Sequence, residues 1–362
     1  MRVALVIERF GRAGGVENVA LAQARALQRR GVAPAVVCRD ADERLAREFE
    51  LVRVWAPTFW QPLRLYMFSA GARGQTRGAF DVVHSLSRTR HQNIYRAGGG
   101  SHAAYLENVF ANPQRRARFS PRHRMILDIE EAVFRDARQI IQCNSKMVAG
   151  DLAQRYQIAP ERLSVIYNGV DIERFHPLRR ATEGAAARRE LKLEGPIALF
   201  CGSGFERKGL DRAILGLANS RADATLLVAG RGDAGRFQQI AATYGVSDQV
   251  RFLGHRDDLA ALYTAADLLV LPTRYDPFAN VCLEAMASGL PVATTPTNGA
   301  SELIDPGVNG WIGRDDFSPA FALLGDSQKL KEMGRAARQT AEGFSWDHYV
   351  DQILRLYRRV AA

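Results

Sequence analysis

Short apolar runs alternate with segments of helical periodicity along nearly the whole chain. At the start, VALVI is followed by a glycine-rich break, by the helical pattern VALAQARALQRR and by a second apolar run, VAPAVVC. Short apolar runs bounded by turn residues are typical of buried strands, and apolar residues three and four apart are typical of helices. The pattern therefore predicts a β-α-β unit with parallel strands. We expect DVVHSL and RQIIQC to extend the same sheet, with residues 102–137 mostly helical.

The alternation restarts at Pro196, after the turn-rich connector SVIYNGVDIERFHP and a polar stretch. IALFC, ATLLVAG, VRFLGH, DLLVLP and LPVATT are predicted strands, each separated from the next by a helical segment. We therefore predict an α/β protein with two doubly wound domains, covering residues 1–172 and 173–345, and a terminal amphipathic helix over 346–362. Such sheets bind ligands beyond the carboxyl ends of their strands, so the loops there are candidates for chemistry.

Composition agrees with a globular protein of two domains. The chain has 362 residues, of which 47% are apolar and 24% charged. Its four cysteines, Cys38, Cys143, Cys201 and Cys282, are far apart, which argues against a disulfide framework or a zinc site and favours a reducing, cytoplasmic compartment. The N-terminus is too short in its apolar part for a signal peptide, and no run is long enough to span a membrane.

The charge is unevenly distributed. The whole net charge of +10 lies within residues 1–172, and residues 51–124 alone hold 12 arginines against two acidic residues. Apolar residues such as Phe119 and Met125 lie among the densest arginines, in QRRARFSPRHRM. This mixture favours an anionic membrane surface over nucleic acid, for which no motif is present. The alternative is a solvated surface of an arginine-rich protein.

Three motifs follow predicted strands. GRAGGVEN (11–18) can present backbone N–H groups to a phosphate at a helix start, although it equally suits a turn that binds nothing. In CGSGFERKGLDRA (201–213), Arg207 and Lys208 precede a helix and suit a diphosphate, unless they are merely an exposed basic pair. In TRYDPFANVCLEAMASGLPV (273–292), Asp276 precedes a helix and Glu284 lies eight residues later. These carboxylates suit sugar and ribose hydroxyls, and the free N–H groups of 278–281 can bind phosphate oxygens. The alternative is that Asp276 is a helix cap and Glu284 a solvated residue.

Taken in order, these motifs resemble those of the retaining glycosyltransferases of family 4, which have the GT-B fold. Residues 273–292 are similar to the E-x7-E signature of that family, with Asp276 for the first glutamate and Asn280 near the usual glycine. The glycine pair at 14–15, R-K-G at 207–209, NGVD at 168–171 and AADLLVLP before the signature also match. The second half looks closest to the lipopolysaccharide-core glucosyltransferases of the family.

The resemblance implies two Rossmann-like domains with the active site in the cleft between them, and a UDP-sugar as donor. The implied donor-binding residues are Gly14, Gly15, Gly202, Arg207, Lys208, Leu253, Gly254, Asp276, Phe278, Ala279, Asn280, Val281 and Glu284. Among them the glycine pair contacts the diphosphate through its backbone, and Arg207 and Lys208 neutralise the diphosphate as it departs. Asp276 holds hydroxyls of the transferred sugar near the N–H groups of 278–281. Glu284 binds the ribose, and Leu253 and Gly254 line the base. The resemblance also implies that the terminal helix from Trp346 crosses back to the first domain.

The acceptor side is implied by residues 84–107, which resemble the active-site loop of the lipopolysaccharide-core group. Asn93 stands where that group has an aspartate, which leaves His91 and His102 as candidate bases, or as structural imidazoles. In this family the phosphate of the donor can take the acceptor proton, so catalysis rests on positioning and phosphate stabilisation. No metal or cofactor is expected.

The sequence thus predicts a retaining hexosyltransferase that uses a UDP-sugar and a glycolipid or lipopolysaccharide-core acceptor. We expect it at the inner face of the cytoplasmic membrane, held peripherally by the basic region 51–124. Two alternatives stay open. One is a nucleotide-sugar epimerase of the same fold, and the other is a catalytically weak nucleotide-sugar-binding protein, which the departures at Asn93 and Asp276 favour.

Overall fold

The computed structural model describes residues 1–11 and 14–361, and the chain divides into two compact units. The first unit contains Met1–Gly169 together with the C-terminal segment from Trp346, and the second is Val170–Ser345. The division therefore lies close to the predicted 172–173 boundary. The terminal helix, α15 (Trp346–Ala361), belongs to the first unit.

A parallel sheet of seven strands forms the centre of the first unit. The strands of this unit are β1 (Val3–Val6), β2 (Arg9–Phe10), β3 (Ala35–Cys38), β4 (Asp40–Ala41), β5 (Leu51–Arg53), β6 (Val82–Ser85), β7 (Ile94–Arg96), β8 (Ile140–Cys143) and β9 (Leu163–Val165). The order is β5-β3-β1-β6-β7-β8-β9, and β2 pairs separately with β4. The helices are α1 (Gly15–Arg29), α2 (Gln61–Thr76), α3 (His102–Val109), α4 (Pro113–Phe119), α5 (Pro121–Arg135) and α6 (Lys146–Tyr156).

The second unit has a parallel sheet of six strands. They are β10 (Ile197–Cys201), β11 (Thr225–Ala229), β12 (Val250–Gly254), β13 (Leu268–Leu271), β14 (Val292–Thr294) and β15 (Gly310–Ile312), in the order β12-β11-β10-β13-β14-β15. The helices are α7 (Glu183–Glu190), α8 (Phe205–Lys208), α9 (Leu210–Ser220), α10 (Ala234–Thr243), α11 (Leu259–Ala265), α12 (Asn280–Ala287), α13 (Ser318–Ala322) and α14 (Ser327–Glu342). Single turns of 3-10 helix lie at Pro177–Ala181 and Gly299–Leu303, among others.

The pattern of buried apolar residues agrees with sheets that are covered by helices. The central strands β10 and β13 are buried along their whole length, as expected where helices cover both faces of a parallel sheet. In α9, Leu210, Ala213, Ile214 and Leu217 are buried, which is the spacing of one helical face turned toward a sheet.

The structure departs from the predicted elements mainly at short strands. Leu163–Val165 forms the edge strand β9, although the sequence beginning at 164 had suggested a connector. The glycine-rich loop 202–209 contains the helical turn α8. β5, β7 and β15 were not predicted, because three residues show too little periodicity for their pairing partners to be recognised from the sequence.

The terminal helix α15 packs into the core of the first unit. Tyr349, Val350, Ile353 and Tyr357 are buried in the same cluster as residues of β1 and α1. The hydroxyl of Tyr357 accepts a hydrogen bond from Nε2 of Gln23 at 3.0 Å and lies 2.9 Å from Nδ1 of His84. The helix therefore completes this unit through both apolar and polar contacts.

Because His84 is fully buried, we expect the stability of the protein to depend on pH. Burial disfavours the imidazolium and, with the nearby charge of Arg96, lowers the pKa of His84 to about 3. In the unfolded chain the histidine has its ordinary pKa of about 6.5, so below that pH the unfolded state binds a proton that the folded state does not. The free energy of unfolding is therefore unaffected above about pH 6.5 and falls by about 1.4 kcal/mol for each pH unit below it. The free energy of unfolding of wild type relative to His84→Gln should therefore fall by about 2 kcal/mol between pH 6.5 and 5. Urea unfolding at each pH measures this difference, and a constant difference would contradict it.

Candidate functional site

The loops that follow five strands of the second sheet lie side by side at its carboxyl edge. The N–H of Gly202, after β10, donates to the carbonyl of Ala229 at 2.9 Å, and the N–H of Gly230, after β11, donates to that of Gly254 at 2.8 Å. The N–H of Arg274, after β13, donates to the carbonyl of Arg207 at 2.8 Å. This edge is where open α/β sheets bind ligands, and it carries most of the predicted donor-binding residues.

Gly209 is required for the close approach of two of these loops. It ends α8 with a φ of +77°, and a Cβ atom there would lie 2.0 Å from the carbonyl oxygen of Pro272. Only glycine adopts this conformation without strain and leaves the space open. The absence of a side chain thus lets Arg207 and Lys208 reach the loop after β13.

Arg207, Lys208 and Asp276 form the centre of the site. Nζ of Lys208 lies 2.6 Å from Oδ2 of Asp276, and Nη1 of Arg207 lies 3.0 Å from the same oxygen. Lys208 and Asp276 are both less than 10% exposed. Burial alone would raise the pKa of Asp276, but the two cations outweigh it and hold that pKa below its usual value. The site is thus a buried carboxylate with two cations, one of which is partly open to solvent.

The start of α12 differs from the prediction. The N–H of Phe278 donates to Oδ1 of Asp276 at 3.2 Å, and the N–H of Ala279 donates to Oδ1 of Asn298 at 3.1 Å. These two N–H groups, which the sequence analysis assigned to phosphate, are thus engaged within the protein. Val281 is the second residue of the helix. Asn280 is the first residue of the helix.

Glu284 is the fifth residue of α12, the helix that follows the loop of Asp276. Its Oε2 accepts a hydrogen bond from the hydroxyl of the buried Tyr263 at 2.9 Å. Burial raises the pKa of Glu284, against the opposing influence of Tyr263 and Arg174. Leu253 and Gly254 end β12 at the same edge, where Gly254 is exposed.

The candidates on the first unit have separate partners. Gly14 is the residue before α1 and Gly15 begins that helix, while residues 12 and 13 of the same motif lie outside the described residues. His91 is exposed, with Nε2 3.2 Å from Nη1 of Arg73, and its pKa is lowered by desolvation and by that arginine. Oδ1 of Asn93 accepts the N–H of Val83 at 2.8 Å, which joins β7 to β6.

His102 begins α3 in a buried polar cluster. Its Nε2 lies 2.8 Å from Nδ1 of His123, and its backbone N–H donates to the carboxylate of Glu130 at 2.8 Å. Burial, with Arg88 nearby, lowers the pKa of His102 to about 3, and burial raises that of Glu130 to about 7. His102 is therefore neutral at pH 7.

Sequence reasoning missed Asn298, Tyr263 and Glu130. Asn298 accepts the N–H groups of Ala279 and Ala300, and its own amide donates to Oγ1 of Thr294. The Asn-Gly pair after the strand LPVATT was a usable signal for such a turn. Tyr263 and Glu130 are distant in sequence from the groups they bind, so no local pattern reveals them.

Two glycosyltransferase family models match the two halves of the chain. Residues 184–340 match the family "Glycosyl transferases group 1", and residues 13–174 match "Glycosyltransferase Family 4". A D-inositol 3-phosphate glycosyltransferase of Salinispora tropica is 33% identical over 83% of this chain and 69% of its own length. The chain belongs to the family 4 glycosyltransferases. This agrees with the family that the motifs had suggested.

Other similarities of this family 4 glycosyltransferase extend over nearly the whole chain. The lipopolysaccharide glucosyltransferase WaaG of Escherichia coli is 26% identical over 97% of the chain and 94% of its own length. A crystal structure of WaaG matches with a TM-score of 0.82 at 24% identity, covering 99% of this chain and 98% of that one. A structure of Anabaena Alr3699/HepE with UDP-glucose has a TM-score of 0.77 at 20% identity, covering 99% of this chain and all of that one. The predicted GT-B fold, with two Rossmann-like domains, is confirmed.

No group of three or more His, Cys, Asp or Glu side chains among residues 1–11 and 14–361 is arranged to hold a metal ion. That the reaction needs no metal stays a prediction.

Proposed function

We propose that this glycosyltransferase transfers a hexose from a UDP-sugar, with retention, to a membrane-associated glycan or lipid acceptor in lipopolysaccharide or cell-surface polysaccharide synthesis. The observation that carries the proposal is the buried cluster of Arg207, Lys208 and Asp276 at the carboxyl edge of the second sheet. Two cations beside one carboxylate suit a ligand that has both a diphosphate and sugar hydroxyls. The structure of a fold neighbour with UDP-glucose supports the choice of donor.

In the proposed reaction, the bond between the anomeric carbon and the β-phosphate oxygen breaks, and its electron pair leaves with UDP. The acceptor hydroxyl forms the new bond on the same face of the sugar, and its proton passes to the departing phosphate oxygen. Arg207 and Lys208 stabilise the charge that develops on the diphosphate. Asp276 retains one acceptor position beyond those used by Lys208, Arg207 and Phe278, and this position accepts a hydrogen bond from a sugar hydroxyl. Neither His91 nor His102 is needed as a base.

Two classes of acceptor are candidates. The similarity to WaaG favours a lipopolysaccharide-core acceptor, whereas the higher identity to the inositol enzymes favours D-inositol 3-phosphate as a second candidate. We would incubate the protein with UDP-sugars, alone and with each acceptor. UDP release that requires an acceptor supports the transferase and identifies its acceptor class. Epimer formation without acceptor would favour the epimerase, and binding without turnover would favour the weak binding protein.

Glu284 provides a direct test of the donor site. Its removal should weaken the binding of UDP about tenfold, because a carboxylate that accepts from ribose hydroxyls contributes about 1.5 kcal/mol or more. Calorimetric titration of UDP into Glu284→Ala measures this. Glu332→Ala, on an exposed position of α14, is the matched control and should bind UDP as wild type does. Equal affinities in the two variants would contradict the assignment.

The proposed membrane contact gains support from exposed aromatic residues in the basic region 51–124. Trp55 and Phe59, in the loop before α2, are 73% and 82% exposed, and Phe119 is 72% exposed. No residue of the arginine-rich helix α4 is buried. Large exposed aromatics beside cations suit the interface of an anionic bilayer. No helix in residues 1–11 or 14–361 is long and apolar enough to cross a membrane. We therefore propose a peripheral protein at the inner face of the cytoplasmic membrane.

The double variant Trp55→Ser/Phe59→Ser should bind vesicles with 30% anionic lipid at least about tenfold more weakly than wild type, because burying one large apolar side chain contributes about 1.5–3 kcal/mol. Sedimentation with vesicles measures the loss. Tyr244→Ser removes an exposed aromatic from the second unit and should bind normally. Unchanged binding of the double variant would contradict the proposed role of Trp55 and Phe59 in membrane binding.

A further inference from the structure

A cavity of about 700 Å³ lies in the second unit, away from the donor edge. Its lining includes Pro196, Asp267 and Pro291, which directly precede β10, β13 and β14. The cavity is therefore at the amino edge of the sheet, whereas Lys208 and Asp276 follow the carboxyl ends of its strands. Its volume is within the range of sites for small organic ligands, about 300–1,000 Å³.

One side of this cavity is apolar. Leu290, Leu324 and Leu330 contribute to the lining and are otherwise almost completely buried. Pro177 belongs to the same lining, and the next residue, Leu178, is 79% exposed. An apolar wall beside an exposed leucine favours a ligand with a hydrocarbon part.

The charged groups of the lining are unevenly paired. Asp267 accepts from Arg180 at 2.5 Å, from Arg188 at 2.7 Å and from the N–H of Ile197 at 2.9 Å, so two arginines already compensate its charge. Glu342 pairs with Arg338 at 2.8 Å. The two acidic groups of the lining are therefore occupied by arginines.

Lys331 and Arg335 are cations of the lining that pair with neither Asp267 nor Glu342. They lie one turn apart on α14, are exposed, and have no ion-pair partner within the part of the chain that the structure describes. Like charges four residues apart on a helix repel each other. An anion placed between them would relieve this repulsion and face the apolar wall.

We propose that this cavity binds a phosphate monoester with an alkyl or similar apolar group. The phosphate pairs with Lys331 and Arg335, and the apolar group lies against Leu290, Leu324 and Leu330. The bound ligand touches residues that follow the C-terminal end of α12, the helix whose N-terminal end follows Asp276. The proposal stands on the cavity alone and does not depend on the proposed donor.

The test is calorimetric titration of the full chain with octyl phosphate below its critical micelle concentration, and separately with inorganic phosphate and with octanol. We expect saturable binding of one octyl phosphate per chain, with each of the other two probes at least tenfold weaker. Lys331→Ala/Arg335→Ala and the cavity-filling variant Ser327→Trp should each weaken octyl phosphate at least tenfold. Lys329→Ala/Arg355→Ala removes the same charge from positions outside the lining, one half-buried and one exposed, and should bind as wild type does.

Several results would overturn the proposal. They are the absence of saturable binding, equal affinity in all variants, and inorganic phosphate binding as tightly as octyl phosphate, which would indicate a simple ion site. Competition by saturating UDP would place the probe at the donor edge and would also overturn it. A protein that binds octyl phosphate but not UDP would contradict the proposed function and leave this inference standing, so the two failures are distinguishable.

Discussion

Lys208→Ala is expected to lower kcat about 100- to 1,000-fold with a UDP-sugar and an acceptor, the size of effect seen when one preorganised group that stabilises developing charge is removed. Lys208 is buried, and its Nζ lies 2.6 Å from Oδ2 of Asp276. No flexible surface cation can replace it, because the helical turn before Gly209 fixes its position. Initial rates of UDP release measure the effect.

The fold of Lys208→Ala should persist, because Arg207 still pairs with the carboxylate of Asp276 at 3.0 Å. Circular dichroism and thermal unfolding of the variant check this. Lys329→Ala, at a half-buried position on α14 outside this cluster, is the matched control and should keep the wild-type rate. A near-normal kcat in folded Lys208→Ala would remove this cluster from the proposed chemistry.

Gly209→Ala should cost at least about 4 kcal/mol of unfolding free energy and abolish UDP binding. The new Cβ would lie 2.0 Å from the carbonyl oxygen of Pro272 and 2.7 Å from its carbonyl carbon, both of which are backbone atoms. The loop after β10 would have to move away from the loop after β13, which separates the two cations from Asp276. Urea unfolding and UDP titration measure the two consequences.

Gly245→Ala separates the steric effect from backbone strain. Gly245 has a φ of +70°, close to that of Gly209, but a Cβ there would meet no atom within 4 Å. Its substitution should therefore cost only the conformational strain of about 1–2 kcal/mol and leave UDP binding unchanged. Similar losses in the two alanine variants would show that strain alone, and not the approach to Pro272, requires glycine at 209.

The sequence was informative where chemistry depends on near neighbours in the chain. Arg207 and Lys208 are adjacent, and Asp276 follows a recognisable strand, so the motif and the order of loops predicted that all three lie at one sheet edge. The structure brings them into direct contact. The spacing of Asp276 and Glu284 likewise predicted one carboxylate in the loop before a helix and a second on that helix, and in the structure Asp276 precedes α12 and Glu284 lies within it.

The sequence was less informative where a group has a competing partner from elsewhere in the chain. The N–H groups of Phe278 and Ala279 were predicted to donate hydrogen bonds to a phosphate, because a helix start leaves N–H groups without partners in the helix. Asp276 and Asn298 accept those N–H groups instead. Asn93 looked like an altered catalytic residue, yet its side chain joins two strands. In each case the deciding neighbour is outside the local pattern that supported the prediction.

The sequence by itself determined the two doubly wound sheets, their helices, the family, and the loops that carry the residues proposed to bind the donor. It could do so because burial imposes a period on neighbouring residues that can be read without coordinates. Only the tertiary structure decided which N–H groups are already engaged, that Lys208 and Asp276 are buried together, and that a charged cavity lies at the opposite sheet edge. These properties depend on residues far apart in the chain, whose approach is set by the packing of whole elements.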